Sequence, residues 1–96
     1  MPAVYVIGKD PTIARTLTVT NTSSGVTLTA TCRRISIIAT GHPVLFKIGP
    51  GAQTATASDH YIAAGERLIM DISKGSSIAA IRHGASNATL EISEFA

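Results

Sequence analysis

Charged residues are scarce in this chain of 96 residues, and their scarcity narrows the classes of partner. They make up 15% of the sequence and give a formal net charge of only +2. Non-specific binding to nucleic acid needs several clustered cations, whereas Arg33 and Arg34 are the only adjacent pair. We therefore expect no specific nucleic-acid partner.

Long apolar runs and stacking aromatics are also lacking. No apolar run approaches the roughly 20 residues that span a bilayer, so we expect no membrane partner. The opening MPAVYVIGKD lacks the basic start and long apolar middle of a secretory signal. Tryptophan is absent and aromatic residues make up 4% of the chain, which leaves few platforms on which sugars or single-stranded nucleic acid could stack.

Cysteine occurs once, at Cys32, so an internal disulfide is excluded. A buried free thiol that packs as a small apolar side chain is the simpler interpretation. The alternative is an intersubunit disulfide between Cys32 and a neighbouring copy.

Isoleucine, valine and threonine are abundant, and they favour strands because β-branched side chains pack well on a pleated surface. No stretch of ten residues has a helical stripe of apolar positions. The segments with strand character are MPAVYVI, TLTVT, VTLTATC, RISIIAT, VLFKI, RLIMDIS, SIAAIR and ATLEISEF. The sequence thus predicts an all-β fold of about eight short strands, an antiparallel sandwich or barrel formed by a single domain over residues 1–96. Residues 1–8 are an N-terminal arm or an edge strand.

Period-two alternation assigns faces to these strands. NTSSG, residues 21–25, has the composition of a hairpin loop between TLTVT and VTLTATC, and their threonines form a polar outer face. The positions predicted to point into the core are Ile35, Ile37, Ala39, Val44, Phe46, Ile48, Leu68, Met70, Ile72, Leu90 and Ile92.

Ser58, Asp59 and His60 are the three residue types of a hydrolase triad, side by side. A triad needs these groups to converge on one another, but consecutive residues of an extended chain point to alternate sides. Ser and Asp are also common turn residues. We interpret the stretch as a corner, with Tyr61 and Ile62 directed inward, and predict no catalytic residue here.

The sequence indicates neither a metal site nor a pair of catalytic carboxylates. Cys32, His42, His60 and His83 lack the short spacings of zinc motifs. Glu91 and Glu94 lie three residues apart on one strand and therefore face opposite sides, so we interpret both as solubilising charges. The sequence predicts no catalytic, cofactor-binding or metal site, and no enzyme.

From about residue 35 onward, the chain resembles small β-proteins that are encoded among the virion genes of tailed bacteriophages. The resemblance covers roughly two-thirds of the chain and lies in repeated strand and turn segments: ATGHPVLFKIG, ATASDHYIAAGE, KGSSIAAI and ATLEIS. It implies a jelly-roll-like or immunoglobulin-like sandwich and a structural role as a capsid decoration (cement) protein or another head or tail accessory component. It supplies no catalytic residue.

The same resemblance implies a location in the virion, assembled in the host cytoplasm, with the major capsid protein or another virion protein as partner. We expect a homo-oligomer, and among cyclic arrangements a trimer. The candidate interface positions are apolar residues that the predicted sandwich does not need for its core: Val4, Tyr5, Val6, Ile7, Ile38 and Ile69. The alternative function is a receptor- or glycan-binding module, or a tail or neck accessory protein, using threonine-rich loops and the histidines.

Overall fold

The computed structural model describes residues 11–95, which form eight strands and no helix. All-β structure was predicted from the alternation and is confirmed. The strands are β1 (Pro11–Val19), β2 (Ser24–Thr27), β3 (Arg34–Thr40), β4 (Val44–Pro50), β5 (His60–Ile62), β6 (Arg67–Asp71), β7 (Ser76–Arg82) and β8 (Ala88–Phe95).

Within the described range, these strands form two four-stranded sheets. The first sheet has the order β1-β8-β3-β6, and the second has the order β2-β7-β4-β5. All neighbouring strands are antiparallel. The pairs β1–β8, β2–β7, β3–β6 and β4–β5 are nested around the middle of the chain. This nesting is that of a long hairpin rolled into a sandwich, the jelly roll, rather than the immunoglobulin order.

The predicted hairpin of TLTVT and VTLTATC is wrong. β1 pairs with β8 in the first sheet, whereas β2 pairs with β7 in the second. The loop after Val19 therefore crosses from one sheet to the other. The apolar sides of both segments do face the core, but they face it from opposite sheets, which alternation alone cannot distinguish from pairing side by side.

β2 is shorter than the predicted strand because the chain turns after Leu28. The Cys32 N–H donates to the Thr29 carbonyl oxygen over 2.9 Å, which closes a turn. Leu28 and Cys32 are nevertheless buried. Ala30, which alternation places on the same face as these two residues, is exposed, because the chain has left the strand at this point.

The core lies between the two sheets and consists almost entirely of aliphatic side chains. Ile48, Leu68, Met70 and Ile72 pack against it from its margins and are only partly buried. The buried residues of the cluster are Val19, Leu28, Cys32, Ile35, Ile37, Ala39, Val44, Phe46, Ile62, Ile78, Ala80, Ala88, Leu90 and Ile92. All eleven positions that alternation assigned to the core are therefore found in it or against it.

A segment between β4 and β5, residues 51–59, crosses the outer face of the second sheet. It begins at Gly51, whose positive φ of 73° is the conformation expected of the Gly49–Gly51 turn. At its middle, the Ala55 N–H donates to Ser23 Oγ over 2.9 Å, at the far side of the sheet. Ala79 points away from the core by alternation, yet it is fully buried. We refer to residues 51–59 as the strap.

Candidate functional site

The Ser58-Asp59-His60 stretch lies at the end of the strap, where Ser58 and Asp59 both contact Thr56 and His60 packs elsewhere. Asp59 Oδ2 accepts hydrogen bonds from the Thr56 backbone N–H over 2.7 Å and from Thr56 Oγ1 over 3.2 Å. Ser58 Oγ lies 3.1 Å from Thr56 Oγ1. The His60 ring packs against Phe46, with 5.7 Å between ring centroids. Asp59 therefore closes a turn, and this geometry is that of a corner.

Tyr61 does not point inward as predicted. It is 51% exposed and packs edge-on against the ring of His83, at 5.0 Å between centroids. Ile62 is fully buried, as expected. The correction follows from β5: His60–Ile62 is a short strand, so Tyr61 must lie on the face opposite to Ile62.

The four residues considered as metal ligands are dispersed. Cys32 is buried, with its Sγ 3.4 Å from the Arg34 carbonyl oxygen. Burial raises the pKa of the Cys32 thiol. His42 lies in an exposed turn, while His60 and His83 contact different aromatic rings. Among residues 11–95, no group of three His, Cys, Asp or Glu side chains could hold a metal ion.

Cys32 is a free thiol in this chain. It is 5% exposed, which favours the interpretation as a packed apolar group over an intersubunit disulfide. The intersubunit bond stays a prediction.

Glu94 is not the solubilising surface charge that the sequence suggested. Its side chain is 2% exposed and lies 2.5 Å from the Arg15 guanidinium. Glu94 Oε1 also accepts a hydrogen bond from the Thr29 N–H over 3.2 Å. The period-two alternation of the strand could have predicted this burial. Glu94 follows Leu90 and Ile92 at intervals of two residues and therefore shares their inward face.

Two opposing effects set the pKa of Glu94. Burial by itself raises it, because a desolvated carboxylate is unfavourable. The hydrogen bonds from Arg15 and Thr29 outweigh burial and hold the pKa below its ordinary value. Glu94 is therefore a structural anion that ties β8 to β1 and to the loop after β2.

An open groove between β5 and β6 is the strongest candidate for a binding site. Its volume is about 370 Å³, and it is lined by Phe46, His60, Tyr61, Leu68 and Met70. We refer to these five residues as the edge groove. Pockets that bind small ligands have volumes of about 300–1,000 Å³, so the groove is large enough to admit side chains of a partner.

The topology explains why the groove is open. β5 is the outermost strand of the second sheet and β6 is the outermost strand of the first. On this side of the sandwich, among the described residues, no further strand covers the margin between the sheets. β5 has only three residues, and Leu68 and Met70 are consequently half-buried although they pack against the core.

The other predicted interface positions lie elsewhere. Ile38 and Ile69 are on the outer face of the first sheet, where Ile38 is half-buried and Ile69 is 39% exposed. Ser36, the cross-strand partner of Ile69, is buried beneath Arg67, whose Nη1 donates to Ser36 Oγ over 2.7 Å. Val4, Tyr5, Val6 and Ile7 are outside the described residues.

A second depression lies at the ends of β3 and β6, lined by Arg33, Arg34, Asp71 and Ile72. Arg34 Nε contacts Asp71 Oδ1 over 2.5 Å, in a pair that is well exposed on the Asp71 side. The hydrogen bond from Arg34 lowers the pKa of Asp71. The Arg34 charge already has a partner, and Arg33 is the other charged side chain in this lining, where it is exposed to solvent.

Comparison with protein-family models, with curated proteins and with solved structures finds no match to this chain. Among residues 11–95, no helix is long and apolar enough to cross a membrane.

Proposed function

We propose that this chain is a non-enzymatic structural protein of the virion of a tailed bacteriophage, a capsid decoration protein that binds the head as a homo-oligomer. The jelly-roll strand order carries the proposal, because this architecture recurs in the domains of viral capsids. The major capsid protein, or another virion protein, is the partner.

The size and the surface of the sandwich support a role in assembly. A domain this small buries a limited share of its own surface and gains stability when a partner binds its folded form. The edge groove exposes part of the apolar core margin where such a partner can bind. Exposed apolar surface rimmed by polar groups, here His60 and the Tyr61 hydroxyl, is a feature that interaction sites share.

A second candidate function is a receptor- or glycan-binding module. Jelly rolls also occur in lectins, and fold alone does not decide between these uses. The observation that favours this candidate is the exposed Tyr61 ring braced edge-on by His83, because sugars stack on aromatic faces fixed in this way. A tail or neck accessory protein would use the edge groove or the Tyr61–His83 pair at another position in the particle.

Quantitative mass spectrometry of purified phage particles tests the proposal. Phage particles are isolated from the source culture on a density gradient. The copy number of this chain is then measured relative to that of the major capsid protein. We expect the chain in many copies per particle, and particles stripped of it should release their DNA at a lower temperature than particles to which purified chain has been added back. Absence of the chain from intact particles would refute the proposal.

The glycan-binding candidate has its own measurement. Binding of the purified chain to host cells is compared between the wild type and Tyr61→Ala, with Thr27→Ala as an exposed control on another strand. Binding that Tyr61→Ala alone abolishes would establish the second candidate in place of the first.

A further inference from the structure

The N-terminal segment and the edge groove have matching chemistry. Residues 1–8 include no charged side chain, and Val4–Ile7 are four consecutive apolar or aromatic residues. In the groove, His60 is the only side chain besides Tyr61 with an ionisable group. A segment without charge can therefore bind there without desolvating an unpaired ion.

β1, into which the N-terminal segment leads, and the edge groove lie on opposite margins of the sandwich. The N-terminal segment leads into β1, which is one edge of the first sheet, and β6 is the other edge. Ile13, Glu94, Ile35 and Met70 are aligned on one row across the four strands. Neighbouring strands are about 4.8 Å apart, so β1 and β6 are separated by roughly 14 Å along this row.

The composition of residues 4–7 indicates whether they bind the edge groove of the same chain or the edge groove of a second copy. Successive residues of a strand point to opposite faces, so a strand formed by residues 4–7 would have Val4 and Val6 on one face and Tyr5 and Ile7 on the other. Binding at the margin of its own sandwich would cover one apolar face and leave the other in water. Between two copies, both faces can be covered.

We propose that residues 4–7 of one copy bind in the edge groove of a second copy of this chain. β5 and β6 each present an outer edge that can accept a strand by β-augmentation. The donor segment and the acceptor groove are different surfaces of the chain, and β1, which follows the donor segment, is on the margin opposite the groove. The contact is thus heterologous, and it closes into a ring when the rotation between copies permits. This inference rests on the self-association that is part of the proposed function.

Disulfide trapping tests the contact in the full chain. Cys32→Ala removes the native thiol, and His60→Cys places one at the rim of the groove. Val6→Cys and Ile7→Cys are each combined with it, because these neighbours point to opposite faces and one of them must face the groove. The control combines Val6→Cys with Thr18→Cys, an exposed position on β1.

We expect oxidation to give a ladder of multimers that ends at one closed size, for at least one of the two groove pairs and not for the control. A product of monomer mass whose yield does not change on dilution would mean that the segment binds its own groove and would overturn the proposal. A ladder no stronger than that of the control would also overturn it.

A charge substitution supplies an independent readout. His60→Glu buries an unpaired carboxylate if the groove is filled, and His42→Glu makes the same change at an exposed turn. Analytical ultracentrifugation should show self-association weakened at least about tenfold by His60→Glu and by less than about twofold by His42→Glu. Equal effects would refute the groove as the acceptor. Circular dichroism confirms that both variants fold.

These measurements use purified chain and need no shell, so they separate the two proposals. A chain that forms the trapped ring but is absent from particles refutes the proposed function alone. A chain present in particles without the trapped contact refutes only the inference.

Discussion

Glu94 is an ionised carboxylate inside the sandwich, a placement that is stable only because its hydrogen bonds are satisfied. Arg15 supplies the counter-charge while its own side chain stays 29% exposed. Removing one member of a buried ion pair leaves the other uncompensated. The partial exposure of Arg15 reduces that penalty, since water can hydrate the guanidinium once Glu94 is replaced.

Stability should fall in acid because of Glu94. Its pKa in the folded protein is lower than the ordinary value of 4.5, so the unfolded chain binds more protons and the free energy of unfolding decreases as pH falls. The stabilisation is fully present above about pH 4.5 and is lost as the pH drops through the lower pKa of the folded state. Thermal melts between pH 7 and pH 3 measure this loss.

Glu94→Gln should lower the free energy of unfolding at pH 7 by about 1–3 kcal/mol and flatten its dependence on pH. Asp71, whose pKa Arg34 also lowers, adds a smaller slope of the same sign, which Asp71→Asn isolates. Glu91→Gln, an exposed neighbour on β8, is the matched control at pH 7. A Glu94→Gln variant as stable as the Glu91→Gln variant would contradict the structural role of the buried pair.

Truncation of core and surface side chains should give clearly different effects. Phe46 is 6% exposed, and Phe46→Ala should cost about 3–5 kcal/mol. Met70→Ala should cost less than that, because Met70 is only partly buried at the edge groove. Thr18→Ala and Thr29→Ala, both exposed, should stay within about 0.5 kcal/mol. Chemical denaturation ranks the four variants, and equal losses would mean that the faces of these strands are misassigned.

At the scale of an element, the hydrogen bond from the Ala55 N–H to Ser23 Oγ holds the middle of the strap, while the Gly51 N–H donates to the Gly75 carbonyl oxygen at its start. Ala55 is 3% exposed, so Ser23→Ala would leave a buried donor without this partner, at about 1–3 kcal/mol. We expect faster amide exchange at Ala55 and faster proteolysis within residues 51–59. Ser58→Ala, at an exposed hydroxyl of the same segment, is the control. Unchanged exchange at Ala55 would show that other contacts hold the strap.

Individual strands were predictable from sequence to the extent that their pattern is local. RISIIAT and ATLEISEF coincide with β3 and β8, because both have β-branched residues, alternation and turn residues at their ends. The pairing of β1 and β2 was not predictable, since alternation specifies the buried face of a strand and not the sheet that contains it.

The same limit applies to the candidate sites. Leu68, Met70 and Phe46 were correctly assigned to apolar faces, but their meeting at an open margin depends on β5 and β6 being edges of different sheets. That arrangement is a property of the whole topology. The inward direction of Glu94 was predictable, in contrast, because its spacing of two and four residues from Ile92 and Leu90 is visible in the sequence.

At the scale of the whole molecule, deletion of residues 1–7 tests whether the N-terminal segment serves the fold or the assembly. The described sandwich has its core within residues 19–92, so we expect the deletion to leave the circular dichroism spectrum and the cooperative melt intact. Self-association, followed by light scattering at several concentrations, should be lost. Unfolding of the truncated chain would instead assign the segment to the protein's own sandwich.

The nested strand order has a further consequence for how the chain is made. β8 lies between β1 and β3 in the first sheet, so β1 gains its sheet partner only when β8 has been synthesised. Until then, the apolar side of β1 and the edge of β3 stay open to wrong contacts. Pairing over such sequence distances also slows folding. The hairpin of β4 and β5, near the middle of the chain, closes the innermost pair and can form early. The described strands can therefore pair from the middle of the sequence outward, and the β1–β8 pair, which is the most distant in sequence, forms only after β8 has been synthesised.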